Sequence, residues 1–398
     1  MYTADAPMLV GIDLAKDSFA VAVRQDEGRT WTFAVDQEGL AQFEEFVVHL
    51  GGVQDHIIFG LEASGPYSDL LLGWLLARKA RVCLLNPLQI FRFRKAQTLR
   101  NTKTDAIDAA LIAQYMDQVP GARVEVDAMD DLQALACEYE SVTQEIARLK
   151  TQIRQQVYVL FNEISHGSAL FSARMLRLLQ AFPSAHAISR AQPKQLCQIW
   201  EAKDGHGHKP SPSLQQIVDQ AHASISQPSS VREIVLRSKI HRLLLLLQEQ
   251  KSLRHSLSRA VRQDQPDIYD LLMSVPGLGE VTVSLFLAQV RTLDRFAGHR
   301  QLIAFAGIDP NTYQSGQYTA PSHISKRGSP HLRRTLYQMA QSVRRYSTTF
   351  GHYYAQLRDR GKPYRVAIIA CANKLIRVIF AINRTHMPFR DAQTMPIS

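Results

Sequence analysis

Nine apolar side chains, Leu132, Leu135, Tyr139, Val142, Ile146, Leu149, Ile153, Val157 and Leu160, recur at spacings of three and four. This is close to a heptad seam sustained over about four heptads, so it demands a long helix with a partner along its length, a coiled-coil pattern. Leu236, Ile240, Leu243, Leu247, Leu253 and Leu257 repeat the pattern less cleanly. Two such helices can pair within one chain or between chains. The breaker-rich run Asp204-Gly-His-Gly-His-Lys-Pro-Ser-Pro-Ser213 between them reads as an exposed loop or insertion. The seam divides the chain into residues 1–127, a coiled-coil region 128–265 with an inserted segment, and residues 266–398.

The first part alternates between period-2 and period-3.6 patterns. Strands are expected at Met8 to Asp13, Phe19 to Val23, Thr30 to Val35, His56 to Glu62 and Arg81 to Leu85. Helices are expected at Glu38 to Leu50, Tyr67 to Lys79, 88–98 and 105–117. Turn signals sit at Asp26-Glu27-Gly28, Gly51-Gly52 and Asn86-Pro87. Three strands, a helix, then alternating strand and helix describe an α/β domain.

Apolar residues make up 45% of the 398, enough for a sizeable core, and the length fits two or three domains. Lys and Arg outnumber Asp and Glu by ten, which points toward a polyanionic partner. Cys83, Cys137, Cys197 and Cys371 are widely spaced with no CxxC pair, which argues against a disulfide framework or a cysteine zinc site. No signal-peptide pattern opens the chain and no uninterrupted apolar run of about 18 residues is found, so a soluble, cytoplasmic protein with no membrane span is expected.

Two strands end in an acid: Asp13 after Met8-Leu-Val-Gly-Ile, and Glu62 after Ile-Ile-Phe-Gly-Leu. Strand ends are where ligand groups collect in open α/β sheets. Asp105 and Asp108 stand at i and i+3, which on a helix sets both on one face. Four acids converging from two strands and a helix would form a hard-oxygen cage for the two divalent ions that stabilise phosphodiester cleavage. Taken singly, each acid also fits a surface position or a helix cap. Arg92, Arg94, Lys95, Arg100 and Lys103 form a one-signed run before Asp105, suited to nucleic-acid contact. Phe91 and Phe93 fit core packing better than base stacking, and His206 and His208 fit a loop better than a metal site.

In the last part, no Asp or Glu occurs from Asn311 through Arg358, while Lys326, Arg327, Arg333, Arg334, Arg344, Arg345 and Arg358 do. A solvated face mixes both signs, so this stretch supports phosphate binding. Ser274-Val-Pro-Gly277-Leu-Gly279 before a helical run has the form of a helix-hairpin-helix element, whose backbone N–H groups hold duplex phosphates. A plain tight turn fits it as well. Ser315, beside Gly316 and upstream of Lys326 and Arg327, is either a turn residue or a hydroxyl near bound phosphate.

Together, Gly11-Ile-Asp-Leu-Ala-Lys16, Glu62-Ala-Ser-Gly65, Lys103-Thr-Asp-Ala-Ile-Asp108, Val275-Pro-Gly-Leu-Gly279, Ala306-Gly307, Ser315-Gly316, Ser325-Lys-Arg-Gly328 and Leu332-Arg333 resemble the IS110 family of insertion-sequence transposases, which are similar to Piv-type DNA invertases. The resemblance implies an N-terminal RuvC-like, RNase H-fold domain with a DEDD metal site on Asp13, Glu62, Asp105 and Asp108, holding Mg²⁺ or Mn²⁺, two ions per site. It implies a mainly helical C-terminal transposase domain whose serine nucleophile matches Ser315, with Ser322 as runner-up. It further implies donor and target double-stranded DNA as substrates, a structured guide RNA, the bridge RNA, and a homo-oligomer, dimer or tetramer, assembled through the coiled coil in a nucleoid-associated setting. The segment 163–230 is long for a simple coiled-coil hairpin.

Three rivals remain. A RuvC-like metal-dependent nuclease would use the same acids and no covalent step. A non-enzymatic DNA-binding protein would keep its function after Asp13→Ala. An actin-like ATPase would explain Gly11-Ile-Asp13, yet no second Asp-Gly phosphate loop follows.

Overall fold

A computed structural model describes residues 7–26, 29–51, 56–63, 66–97, 104–122, 131–201, 213–311, 314–315, 318–319 and 323–391. The chain forms two compact units, Met1–Asp130 and Asp131–Ser398. Glu27, Gly28, Gly52, Ser64, Gly65, Arg100, Lys103, His206, His208, Gly316 and Ser322 lie outside the described residues.

The first unit is a mixed sheet with helices on both faces. Its strands are β1 (Met8–Leu14), β2 (Ser18–Val23), β3 (Thr30–Ala34), β4 (Ile57–Glu62) and β5 (Arg81–Leu85). Helix α1 (Gln37–His49) joins β3 to β4 and α2 (Pro66–Ala77) joins β4 to β5; α3 (Pro87–Gln97) and α4 (Asp105–Gln118) follow. The strand order is β3-β2-β1-β4-β5, antiparallel from β1 to β3 and parallel from β1 to β5. Alternation along each strand separates two cores. Val10, Ile12, Val21, Phe59, Leu61 and Val82 face Phe43 and Val47 of α1 and Leu71 and Leu75 of α2. Leu9, Ile58, Cys83 and Leu85 face Ile90 of α3 and Leu111, Ile112 and Met116 of α4. Beside Leu9 and Ile58, this face of β1, β2 and β4 carries the small residues Gly11, Ala20, Ala22 and Gly60, which let α4 lie close. Ala20, Ala22 and Ala109 form one contact, and Gly11 and Gly60 are directly paired.

The second unit is helical apart from two short ladders. Helix α5 (Asp131–Leu160) is followed, among the described residues, by α6 (Asn162–Ser165), α7 (Ala173–Ala181), α8 (Ala185–Ser189), α9 (Pro193–Glu201) and α10 (Leu214–His222), and then by α11 (Ser230–Asp264). Helices α5 and α11 pack antiparallel: Gln152 bonds Lys239, Glu145 meets Arg242 and Thr143 bonds Gln250. Val142 to Leu160 and Leu236 to Leu243 share a core with α7 to α10, so the inserted segment is a helical cap on the pair. At the other end the buried period shifts. Leu132, Ala136 and Glu140 are buried on α5, whereas Leu135 and Tyr139 are only partly covered. There α5 faces the C-terminal helices as well as α11, and this second neighbour rotates the buried stripe. Glu140 meets the imidazole of His331.

The remaining helices are α12 (Pro266–Met273), α13 (Glu280–Val290), α14 (His299–Ala306), α15 (Pro330–Tyr346), α16 (Thr348–Asp359) and α17 (Tyr364–Thr385). Between α14 and α15, β6 (Pro310–Asn311) pairs with β9 (His323–Ile324) and β7 (Gln314–Ser315) pairs with β8 (Tyr318–Thr319). Among the described residues α17 is the one helix long and apolar enough to cross a membrane, a run the sequence reading did not expect. It carries Lys374 and Arg377 at mid-helix, and its Ile368, Ala372, Leu375, Ile376 and Ile379 are buried in the helical core. It packs there as a core helix against α12, α14, α15 and α16.

Candidate functional site

The register of β1 on β4 runs from Met8 opposite Ile57 to Ile12 opposite Leu61, so the next residues, Asp13 and Glu62, end neighbouring parallel strands. Asp13 stands two residues after Gly11 and Glu62 two after Gly60, which turns both toward the α4 face. At Gly11 a Cβ would overlap the Ala109 carbonyl oxygen and the Ala113 nitrogen; at Gly60 it would meet Met116 and Ile112. Glycine is required here for space alone.

The direction of α4 follows from its two ends. Asp117 near the C-terminus binds Arg24, whose own N–H donates to Leu9 at the start of β1. Ala109 near the N-terminus lies on Ala20 and Ala22, and Ala20 pairs with Asp13. The helix therefore runs antiparallel to β1 and directs its first turn toward the end of the sheet that carries Asp13 and Glu62. Thr104 caps that turn by accepting from the Ile107 N–H. Asp105 is exposed and Asp108 is 4% exposed.

The backbone thus gathers all four acids at one edge. As they stand, no three His, Cys, Asp or Glu side chains among the described residues are grouped to hold a metal ion. Asp108 is engaged by Arg94 of α3, itself largely covered. The donor set suits a hard divalent cation, since all four groups are carboxylates. Of the basic run, Arg92 and Lys95 are exposed on α3 while Arg94 is spent on Asp108. Phe93 packs edge-on to Tyr115 at 5.2 Å, as expected, but Phe91 is 55% exposed with Lys95 beside its ring. Two residues of helix, about 200° of rotation, send one phenylalanine inward and the other outward, a distinction that composition does not make.

In the second unit, the Ser325–Gly328 loop closes on the C-terminus of α14. Lys326 donates its N–H to the Gly307 carbonyl and Ser325 donates to Asp309. Gly307 takes φ +65° and Gly328 has no room for a Cβ beside Phe305. Lys326 and Arg327 are left exposed. Arg333 does not share that outlook: its guanidinium donates to the carbonyls of Ala306 and Gly328 at 3.2 and 3.4 Å. It therefore satisfies the end of α14 and pins the loop, while Arg334 faces solvent. Ser315 stands in the β7–β8 ladder, its backbone opposite Tyr318.

The hairpin between α12 and α13 divides in the same way. Gly277, at φ +94°, is packed against the backbone of Ser342 and Val343 on α15, so it serves the fold. Gly279 opens onto free space, though its N–H already donates to Thr282. Helix α13 is buried from Val283 to Val290, so contact with a duplex at this element is confined to the turn. The sequence reading missed the Glu140–His331 contact; a carboxylate one residue beside the apolar seam was the available signal.

Two family models match the chain. One, described as a DEDD transposase, covers residues 10–162, and one described as the transposase IS116/IS110/IS902 family covers residues 269–355. Among curated relatives, a pilin gene-inverting protein of Moraxella bovis is 24% identical over 96% of this chain and 97% of its own. An insertion element IS116 protein of 44.8 kDa from Streptomyces clavuligerus is 23% identical over 94% of this chain and 97% of its own. An insertion element IS110 protein of 43.6 kDa from Streptomyces coelicolor is 23% identical over 71% of each.

Proposed function

Because this chain belongs to the IS110/IS116 family of transposases, we propose that it recombines double-stranded DNA by cutting and rejoining strands through a covalent serine–DNA intermediate, with a structured guide RNA choosing donor and target. The observation that carries this reading is the seating of α4 on Gly11 and Gly60, which aims its acidic first turn at Asp13 and Glu62. Four acids at one sheet edge repel phosphate unless cations intervene.

Asp13, Glu62, Asp105 and Asp108 would hold divalent metal, Mg²⁺ or Mn²⁺. When bound, the metal supplies positive charge against the phosphate oxygens where negative charge builds during displacement. Asp108 must release Arg94 to join that set. Arg94 would then be free to pair with a phosphate, and the Asp108 carboxylate would exchange one cationic partner for another. The Ser315 hydroxyl attacks phosphorus and loses its proton to solvent or a carboxylate. A phosphoserine ester forms as one phosphodiester bond breaks, and the departing DNA oxygen takes up a proton. One ester replaces another, so the bond is retained for rejoining. Lys326 and Arg327 offset phosphate charge, and the sheet with its DEDD order reads as RNase H-like. The α5–α11 pair serves as the coiled-coil element through which copies associate.

Covalent trapping tests this. Purified protein, flanking element RNA, labelled duplexes and Mg²⁺ are denatured and resolved on a gel. A slow-migrating adduct is expected that disappears in Ser315→Ala and Asp13→Ala, with duplex binding retained. Wild-type adduct in Ser315→Ala rejects Ser315, and metal-dependent cutting with no adduct turns the reading to a hydrolytic nuclease.

A further inference from the structure

We propose that the outer face of α17 is a second docking surface for duplex DNA, which tracks the phosphate backbone along a groove closed by the start of α14; this rests on the recombinase reading. Between Asp359 and Asp391 the chain carries seven Lys and Arg residues and no acid. Lys374, Arg377 and Arg384 stand at i, i+3 and i+10, one helical stripe, opposite the buried Ile368, Ala372, Leu375 and Ile379. Arg377 and Arg384 are exposed.

Two clefts lie end to end along this stripe, of about 530 and 440 Å³, and Arg377 and Ala381 line both. In the first, Lys374 is held in place with Nζ 4.5 Å from the Tyr353 ring centroid. An ammonium steadied on an aromatic face loses less freedom on meeting an anion. The second cleft contains Gly298, the N-cap of α14, which carries no side-chain cap and has open space where a Cβ would be. The Gln301 N–H of the first turn already donates to the Gly298 carbonyl, so it is the N-terminal end of the α14 dipole, at His299, that favours an anion where Arg377 and Arg384 also line the cleft. Among the described residues, Asp294 is the one carboxylate lining this groove, and the Asn383 amide donates to it at 3.1 Å.

The size fits a duplex strand. Ten residues of helix separate Lys374 from Arg384, a rise of about 15 Å, or roughly four base steps at 3.4 Å per strand. Three cations and a helix N-terminus spread over that length suit phosphates along one strand, so the surface positions DNA through its backbone.

Fluorescence anisotropy of the full chain with a labelled duplex, titrated between about 50 and 200 mM salt, tests this. The double variant R377Q/R384Q, with wild-type thermal melting, is expected to lower the slope of log K against log salt by about two. The loss should be equal across unrelated duplex sequences. An unchanged slope while wild-type protein binds duplex overturns the surface and leaves the recombinase reading intact. A loss confined to single-stranded RNA, measured in parallel, also overturns it and assigns the groove to RNA. Failure of the wild-type chain to bind any duplex overturns both.

Discussion

In the N-terminal sheet, a helix reaches two strands through Gly11 and Gly60; in the helical unit, a loop reaches a helix end through Gly307 and Gly328. Both contacts bring backbone close to its neighbour, and both border residues proposed for phosphate chemistry. They differ in what glycine supplies. Gly11 and Gly60 lie in extended strand and contribute only the missing Cβ. Gly307 also adopts φ +65°, a region that other residues enter at a cost. The first contact is built on a hydrogen-bonded ladder that fixes Asp13 and Glu62 in register. The second is held by Arg333 and a handful of loop hydrogen bonds. The carboxylates proposed to converge sit on the former; the cations proposed to meet phosphate sit on the latter.

The largest expected effect breaks the comparison at its chemistry. Asp13→Asn should lower strand-cleavage rate at least ~100-fold, the scale of losing one charge-stabilising element, with an unchanged melting curve. A modest rate loss would remove Asp13 from the site. Next come the glycine contacts themselves. Gly11→Ala pushes a methyl into α4 and should cost about 3 kcal/mol in urea unfolding, with cleavage lost as the acidic turn shifts. Gly307→Ala should cost about 1 kcal/mol from its backbone conformation plus the crowding against the Arg327 and Gly328 nitrogens. If both variants unfold like wild type, close approach is not what positions either group.

Arg333 and Arg334 sharpen the contrast further. Arg333→Gln should destabilise by about 2 kcal/mol because two carbonyls lose a charged donor. Arg334→Gln should stay within about 0.5 kcal/mol yet weaken DNA binding. The smallest effect concerns Asp391. Burial raises its carboxyl pKa, but the Thr349 hydroxyl and the Thr349 and Thr348 N–H groups outweigh that and hold it below the usual value. A depressed folded pKa stabilises the protein above the unfolded pKa of about 3.9 and is lost as pH falls through the folded value. Asp391→Asn should therefore remove part of the loss of stability below about pH 4, measured by urea unfolding across pH.

Much of the first unit was legible because its signals are local. Alternating apolar residues and Asn86-Pro87 predict five strands and their helices, and each forms within two residues of its expected ends. The seam at Leu132 to Leu160 predicts α5, but its first turns answer to neighbours distant in sequence, so Glu140 is buried where Tyr139 was expected. The stripe on α17 escaped notice because its apolar content dominates the window, and only burial of the opposite side sets its cations apart.

By itself the sequence determined the period of each segment, the order of strands and helices, and which residues carry charge, since these depend on neighbours a few positions away. The tertiary structure decided where each charge points. Arg333 and Arg334 are adjacent, with the same side chain on the same helix, and about 100° of rotation sends one onto the carbonyls of Ala306 and Gly328 and the other into solvent. The carbonyls that make this choice lie up to 27 residues away, and no local pattern encodes their position.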